Sequence, residues 1–182
     1  QRSQRSQECR VLLTSAAALR QWYAASCGHF PAADYGNDGR TPYAVRSGKD
    51  YGWARCYQYR GRIYRDRYIP SRRGCRGVPR SYSWFKAHSS AMGFDYFDSE
   101  TTSDFIKNSF LIALHGSTDK SLKRGYEVAI VRKGQKHKTF ISGFLDGKKV
   151  NGRPLDIFKL TPDSFLLSDD HGGVVYFVRK KS

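Results

Sequence analysis

The clearest pattern along the chain lies in its C-terminal half, where short apolar runs alternate with polar punctuation. Between Pro154 and Val178 three such runs are divided by Thr161-Pro162-Asp163-Ser164, a tight turn, and by Asp169-Asp170-His171-Gly172-Gly173, a polar loop. Strand, turn, strand, loop and strand at this pitch read as one blade of a β-propeller, and loops between strands are where such folds place ligand-binding groups. The same reading predicts strands at 109–114, 126–132, 138–142, 155–159, 164–168 and 174–179. Their spacing of about ten residues suits an antiparallel all-β architecture. Residues 87–97 read as a loop entering a strand, and 51–57 as an extended, aromatic-rich segment.

Towards the N-terminus the pattern fades. Residues 1–33 form an irregular leader with one predicted amphipathic helix at 12–25. Arg20 interrupts the apolar run that would otherwise resemble a signal segment. The folded domain is expected over 34–182. A first residue of Gln1 reads as a fragment, a mature form or a trimmed chain.

Composition changes this picture in two places. A length of 182 residues with 39% hydrophobic and 14% aromatic content supports one domain with a real core, and no apolar run is long enough to cross a bilayer. The net charge of +16 raises the question of nucleic acid. Its densest source, however, is Arg60, Arg62, Arg65, Arg67, Arg72, Arg73, Arg76 and Arg80, interleaved with Gly61, Pro70, Gly74, Gly77 and Pro79. That composition predicts a loop and not a groove-reading helix, so no specific nucleic-acid partner is expected. A basic surface that attracts acidic partners or membranes non-specifically is the reading it supports.

The four cysteines, at 9, 27, 56 and 75, form no CxxC pair, so no zinc or other metal site is expected. Cys56 and Cys75 flank the Arg-rich segment, and a disulfide between them would staple its base, which points to an extracellular or periplasmic location. Asp169 and Asp170 could serve calcium, but adjacent carboxylates in a turn more often bind backbone N–H groups. His171 reads as loop surface. Trp53 and Trp84 read as core residues, with stacking on a flat cofactor as the alternative.

Four blocks in fixed order carry a resemblance. They are Asp50-Tyr-Gly-Trp53, Ala87-His-Ser-Ser-Ala-Met-Gly93, Ala113-Leu-His-Gly-Ser117 and Gly152-Arg-Pro154 with Ser168-Asp-Asp-His-Gly-Gly173. Together they resemble the C-terminal part of the soluble glucose/sorbosone dehydrogenase family, which includes pyranose dehydrogenases that use pyrroloquinoline quinone. The resemblance implies a six-bladed propeller that holds the quinone near its axis and oxidises a sugar, with this chain supplying about two C-terminal blades. Such a cofactor carries three carboxylates, so its site needs Arg or Lys. The cofactor-binding candidates are then Arg153, Lys120 (at the place of a family Arg), His88 and His115. Each has a structural alternative: a turn cap for Arg153, a solvated charge for Lys120, and satisfied structural histidines for His88 and His115.

The departures limit what the resemblance implies. The family's Pro after Gly-Trp is Ala54, its Trp-Asn-Arg is Thr118-Asp119-Lys120, and its Ala-Pro-Leu is Ser90-Ala91-Met92. Lys lacks the planar fork that binds a carboxylate through two hydrogen bonds. The family's general base is a His in an earlier blade, so no catalytic residue is assigned to this chain, and alone it is expected to be inactive. Calcium is a possible further requirement of the parent enzyme. The implied partners are a sugar substrate, an external electron acceptor, and missing propeller blades or an oligomer partner. The alternative is a non-catalytic propeller-derived domain that binds glycans or a protein, with a basic nucleic-acid binder behind it. An incomplete propeller has open sheet edges, which predicts poor solubility for the chain alone.

Overall fold

The structure is a computed structural model that describes residues 49–52, 55–59, 61–86, 88–98, 100–133 and 135–181, together with the strand backbones at 22–25 and 42–45. In chain order the strands are β1 (Trp22–Ala25), β2 (Pro42–Val45), β3 (Cys56–Tyr59), β4 (Arg62–Arg65), β5 (Ala91–Phe97), β6 (Ser109–Leu114), β7 (Glu127–Val131), β8 (Lys138–Ile141), β9 (Leu145–Asp146), β10 (Lys149–Val150), β11 (Pro154–Thr161), β12 (Ser164–Asp169) and β13 (Val174–Arg179). They form a four-stranded antiparallel meander β5-β6-β7-β8, a three-stranded meander β11-β12-β13, and the three hairpins β1-β2, β3-β4 and β9-β10. None of these sheets closes on itself.

The four-stranded sheet is the middle layer. All six residues of β6, Ser-Phe-Leu-Ile-Ala-Leu, are buried, because both faces of the strand are covered. One face, with Leu111, Ala113, Val128, Ile130 and Phe97, packs on Ile157, Phe165 and Leu167 of the three-stranded sheet. The other, with Phe110, Ile112, Leu114, Ala129 and Val131, packs on Phe85, with Tyr82 set edge-on against Phe110. A strand buried on both faces loses the apolar–polar alternation, and β6 reads as a continuous apolar run for that reason.

The two meanders meet through their first strands, β5 and β11, as neighbouring propeller blades do. A Cβ on Gly93 would lie 1.8 Å from Oδ1 of Asp156 and 2.6 Å from its Cα, so only glycine lets the two backbones approach this closely. Beside it the Lys159 N–H donates to Oδ2 of Asp95 at 2.8 Å. At the far end the Thr102 and Ser103 N–H groups both donate to Oδ1 of Asp163 at 3.0 Å. Burial pushes the Asp95 carboxyl above its ordinary range, against the pull of the Lys159 and Tyr96 N–H groups.

Several sequence expectations change here. The strands expected at 109–114 and 174–179 have those bounds, and the other four differ by a few residues at their ends. Beside the two expected blades, the 81–86 segment covers the outer face of the middle sheet through Phe85 and Tyr82, and the β3-β4 hairpin is tied to that segment by the Ser81 N–H to Gln58 Oε1 bond at 2.8 Å. The Arg-rich segment is not wholly loop. Arg62 to Arg65 form β4 because Tyr64 finds a cross-strand partner in Tyr57, with stacked rings 5.7 Å apart. The helix expected at 12–25 gives way over Trp22–Ala25 to β1, whose aromatic start pairs with β2. The rest of that expected helix lies outside the described residues. Cys56 and Cys75 are joined by a disulfide across a Cα–Cα distance of 5.9 Å.

Candidate functional site

Antiparallel pairing brings the start of β5, the end of β6, the start of β7, the start of β11 and the end of β12 to one edge of the two sheets. Ala91 pairs with Leu114, Leu114 with Glu127, and Pro154 with Asp169. Three of the sequence blocks end at this edge. The His115 N–H donates to the Ser90 carbonyl at 2.9 Å, and the Gly116 N–H to the Ser89 carbonyl at 3.0 Å. A Cβ on Gly125 would stand 2.5 Å from the Ser89 carbonyl oxygen, so the three loop segments are in direct backbone contact.

The edge is also where the backbone is least relaxed. Among the described residues, five that are not glycine have left-handed φ, and His88 (66°), Ser90 (51°), Lys123 (46°) and Tyr126 (61°) sit in these loops. Such conformations cost about 1–2 kcal/mol each for ordinary side chains, and they persist only where the surroundings hold them.

Arg153 is the centre of the cluster. Its Nη2 donates to the Ser117 carbonyl at 2.9 Å and to the Tyr126 hydroxyl at 3.0 Å. Its Nη1 lies 3.5 Å from Nδ1 of His115, and the guanidinium stands over the Tyr126 ring, 5.2 Å from its centroid. Nε2 of His115 lies 2.8 Å from Oδ1 of Asp170. A carboxylate only accepts, so the Nε2 nitrogen donates, and in neutral His115 the Nδ1 nitrogen is left to accept from Arg153. The Tyr126 hydroxyl in turn donates to the Ser117 carbonyl. The result is a continuous chain from Ser117 and Tyr126 through Arg153 and His115 to Asp170.

Asp169 sets the position of this chain from behind. Its Oδ1 accepts from the N–H groups of Arg153 (2.8 Å), Gly172 (2.9 Å) and His171 (3.1 Å), and the Tyr176 hydroxyl reaches Oδ2 at 3.4 Å. Burial works to raise its carboxyl, but the N–H groups of Arg153, Gly172 and His171 outweigh it and hold the group below its ordinary range. Gly152 is needed beside it, since a Cβ there would lie 2.1 Å from Asp169 Oδ2.

Of the four candidates read from the sequence, the structure brings Arg153 and His115 together. His88 is exposed on the neighbouring loop and lies near Asp119. The Ser121 hydroxyl and N–H hold the Asp119 carboxyl below its ordinary range, with a smaller contribution from His88. Lys120 opens a single 3-10 turn, Lys120–Leu122, and its side chain lies outside the described residues, as does Trp53. Trp84 belongs to the segment over the middle sheet, where its carbonyl accepts from Nδ1 of His137 at 3.1 Å. Sequence reasoning missed Tyr126 and Asp170. The Gly125-Tyr126 pair was the available signal for the first. For the second there was none, because turn formation explains two adjacent aspartates equally well. A cavity of about 510 Å³ lies outside this cluster, lined by Ile141, Phe144, Asn151, Tyr176 and Arg179 among others.

No family model matches the chain. An uncharacterized protein of Borreliella burgdorferi is 32% identical over 108 residues, which is 56% of this chain and 28% of that protein. Among solved structures, the calcium structure of the Trichoderma reesei carbohydrate-active enzyme of family AA12 is similar with a TM-score of 0.64 at 16% identity, over 89% of this chain and 49% of that one. The holo form of the pyranose dehydrogenase PQQ domain from Coprinopsis cinerea follows with a TM-score of 0.60 at 11% identity, over 88% and 51%. At these identities the likeness is one of fold. The chain spans about half the length of the structures it matches.

Proposed function

We propose that this chain forms one side of a quinone-binding sugar dehydrogenase domain of the glucose/sorbosone type, in an oxidising compartment, and that it supplies part of the cofactor wall and not the catalytic base. The observation that carries this reading is the convergence of His115 and Ser117 from one sequence block and Asp169 from another on Arg153, at one edge of two blade-like sheets. Pyrroloquinoline quinone, when bound, would supply the two-electron oxidation of the sugar. The residues fit it in part. Arg153 has five N–H donors and commits three to Ser117, Tyr126 and His115, which leaves Nε–H and one Nη1 hydrogen for a carboxylate. Tyr126 and His115 orient the guanidinium, and the left-handed loops around them hold that orientation.

The same observation favours a second reading. An Arg153 whose Nη2 is fully used inside the protein, with Asp170 nearby, also suits a non-catalytic domain that retained the scaffold. Titrating the full chain with pyrroloquinoline quinone while following Trp fluorescence separates the two. Saturable quenching that weakens about tenfold in Arg153→Ala, and less in Arg153→Lys, supports cofactor binding. Quenching that is absent, or indifferent to Arg153, favours the non-catalytic domain.

A further inference from the structure

We infer that the disulfide-stapled hairpin β3-β4 and the loop that follows it form a docking surface for an anionic polysaccharide, distinct from the Arg153 cluster. Residues 55–80 contain nine arginines, no lysine and one carboxylate, Asp66. Residues 100–182 show the opposite preference, with eleven lysines and four arginines. Lysine is therefore this chain's ordinary solvating cation, and the hairpin departs from it. Arginine differs in its weaker hydration and in a planar fork that matches carboxylate or sulfate oxygens in pairs.

Seven of these arginines divide into two groups, while Arg67 donates to the Tyr68 hydroxyl at 2.8 Å and Arg60 lies outside the described residues. Arg55 pairs with Asp50 at 2.5 Å and donates to the Gly74 carbonyl at 3.2 Å, while Arg65 donates to the Ser71 carbonyl. With the Cys56–Cys75 disulfide, these bonds hold the loop in one shape. Arg62, Arg72, Arg73, Arg76 and Arg80 are exposed and make no side-chain hydrogen bond or ion pair among the described residues, although, beside the Arg55 hydrogen bond, the Arg73 charge helps to hold the Asp50 carboxyl below its ordinary range. A stapled frame that presents these guanidinium groups loses little backbone entropy on binding an extended anion.

Two observations favour a polysaccharide over a nucleic acid. Sequence-tolerant binding of single strands depends on open aromatic faces for stacking bases. Here Tyr64 is stacked on Tyr57 with Tyr59 alongside at 6.4 Å, which leaves Tyr68, 69% exposed and with the Arg67 guanidinium 4.8 Å from its ring centroid, as the single well-exposed ring of the hairpin and its loop among the described residues. The disulfide also belongs to oxidising compartments outside the cytosol. Extended polyanions there are chiefly uronate-bearing or sulfated glycans.

The test is binding of the full chain to polygalacturonate, chondroitin sulfate, dextran and a single-stranded oligonucleotide, at low salt and at about 0.15 M. Both anionic glycans are expected to bind with affinity that falls as salt rises, and dextran is not. Comparing the first two shows whether sulfate adds to what carboxylate alone provides. The combined Arg72→Ala, Arg73→Ala, Arg76→Ala and Arg80→Ala variant should bind about tenfold more weakly, the sum of four exposed pairings. Replacing the same four by Lys should keep the salt dependence and recover only part of the affinity. Should the Ala variant lose its disulfide or its melting transition, the Lys variant decides. Equal affinity for dextran, tighter binding of the oligonucleotide at the higher salt, or wild-type affinity in both variants would overturn the inference.

Discussion

The two meanders are both antiparallel and pack on each other, yet they are finished differently. The β5-β6-β7-β8 sheet has four strands and is covered on both faces, so its second strand is buried throughout. The β11-β12-β13 sheet has three strands and, among the described residues, is covered on one face only. Ile157, Phe165 and Leu167 point into the shared core, whereas Phe158 (63% exposed) and Phe177 (59%) flank Leu166 in one cross-strand row on the open face. Among the described residues β13 pairs on one side only, and an apolar row of this kind is a surface that favours association. Covering both faces of a sheet buries its inner strand throughout, and covering one leaves alternate residues to solvent, which is the difference between the two sheets among the described residues.

The sharpest way to break this comparison is to cut into the core the two sheets share. Leu111 is fully buried between them. Leu111→Ala removes its contacts with both layers at once and should cost about 3–5 kcal/mol in urea unfolding. A loss below about 1 kcal/mol would mean that the sheets are not packed against each other as described.

The second test acts at the join between the terminal sheet and the candidate site. Asp169→Ala leaves the N–H groups of Arg153, His171 and Gly172 without their acceptor, at a cost of about 2–4 kcal/mol. Its pH signature follows from the lowered carboxyl. The folded value lies below the unfolded 3.8, so this stabilisation is fully present above that value and is lost as pH falls through the folded one. Asp95, raised by burial, contributes in the opposite sense, so the informative quantity is the difference between wild type and Asp169→Asn. Wild type should lose more stability than Asp169→Asn below about pH 4. Parallel profiles would show that Asp169 is not held in its charged form.

How much of this was legible depends on how local each cause is. Strands β6 and β13 could be bounded from the sequence because polar turn residues stop their apolar runs. β4 could not, since four residues containing two arginines become a strand only through the Tyr57–Tyr64 pair across the hairpin. The covering of both faces of β6 showed only as a missing alternation. At the candidate site, Arg153 was legible from Gly-Arg-Pro and His115 from its block. Their contact joins residues 38 apart, and the His115–Asp170 bond spans 55. No local signal encodes such pairs. The role of Asp169 was legible because its partners lie within the same turn or just before the paired strand.

The smallest expected effect is on the open face, and it returns to the difference between the two sheets. Phe177 is solvent-facing beside Phe158 and Leu166, so Phe177→Ser removes apolar surface that packs on little within the described residues. The stability of the chain should change by no more than about 0.5 kcal/mol. Its tendency to self-associate should fall, because the apolar row loses one of its two exposed ends. Gel filtration and urea unfolding, run on wild type and variant side by side, read both quantities. A stability loss above about 2 kcal/mol, against the roughly 3–5 kcal/mol expected for Leu111→Ala, would show that Phe177 is packed in solution. The terminal sheet would then be as completely covered as the middle one, and the contrast between the two sheets would fall.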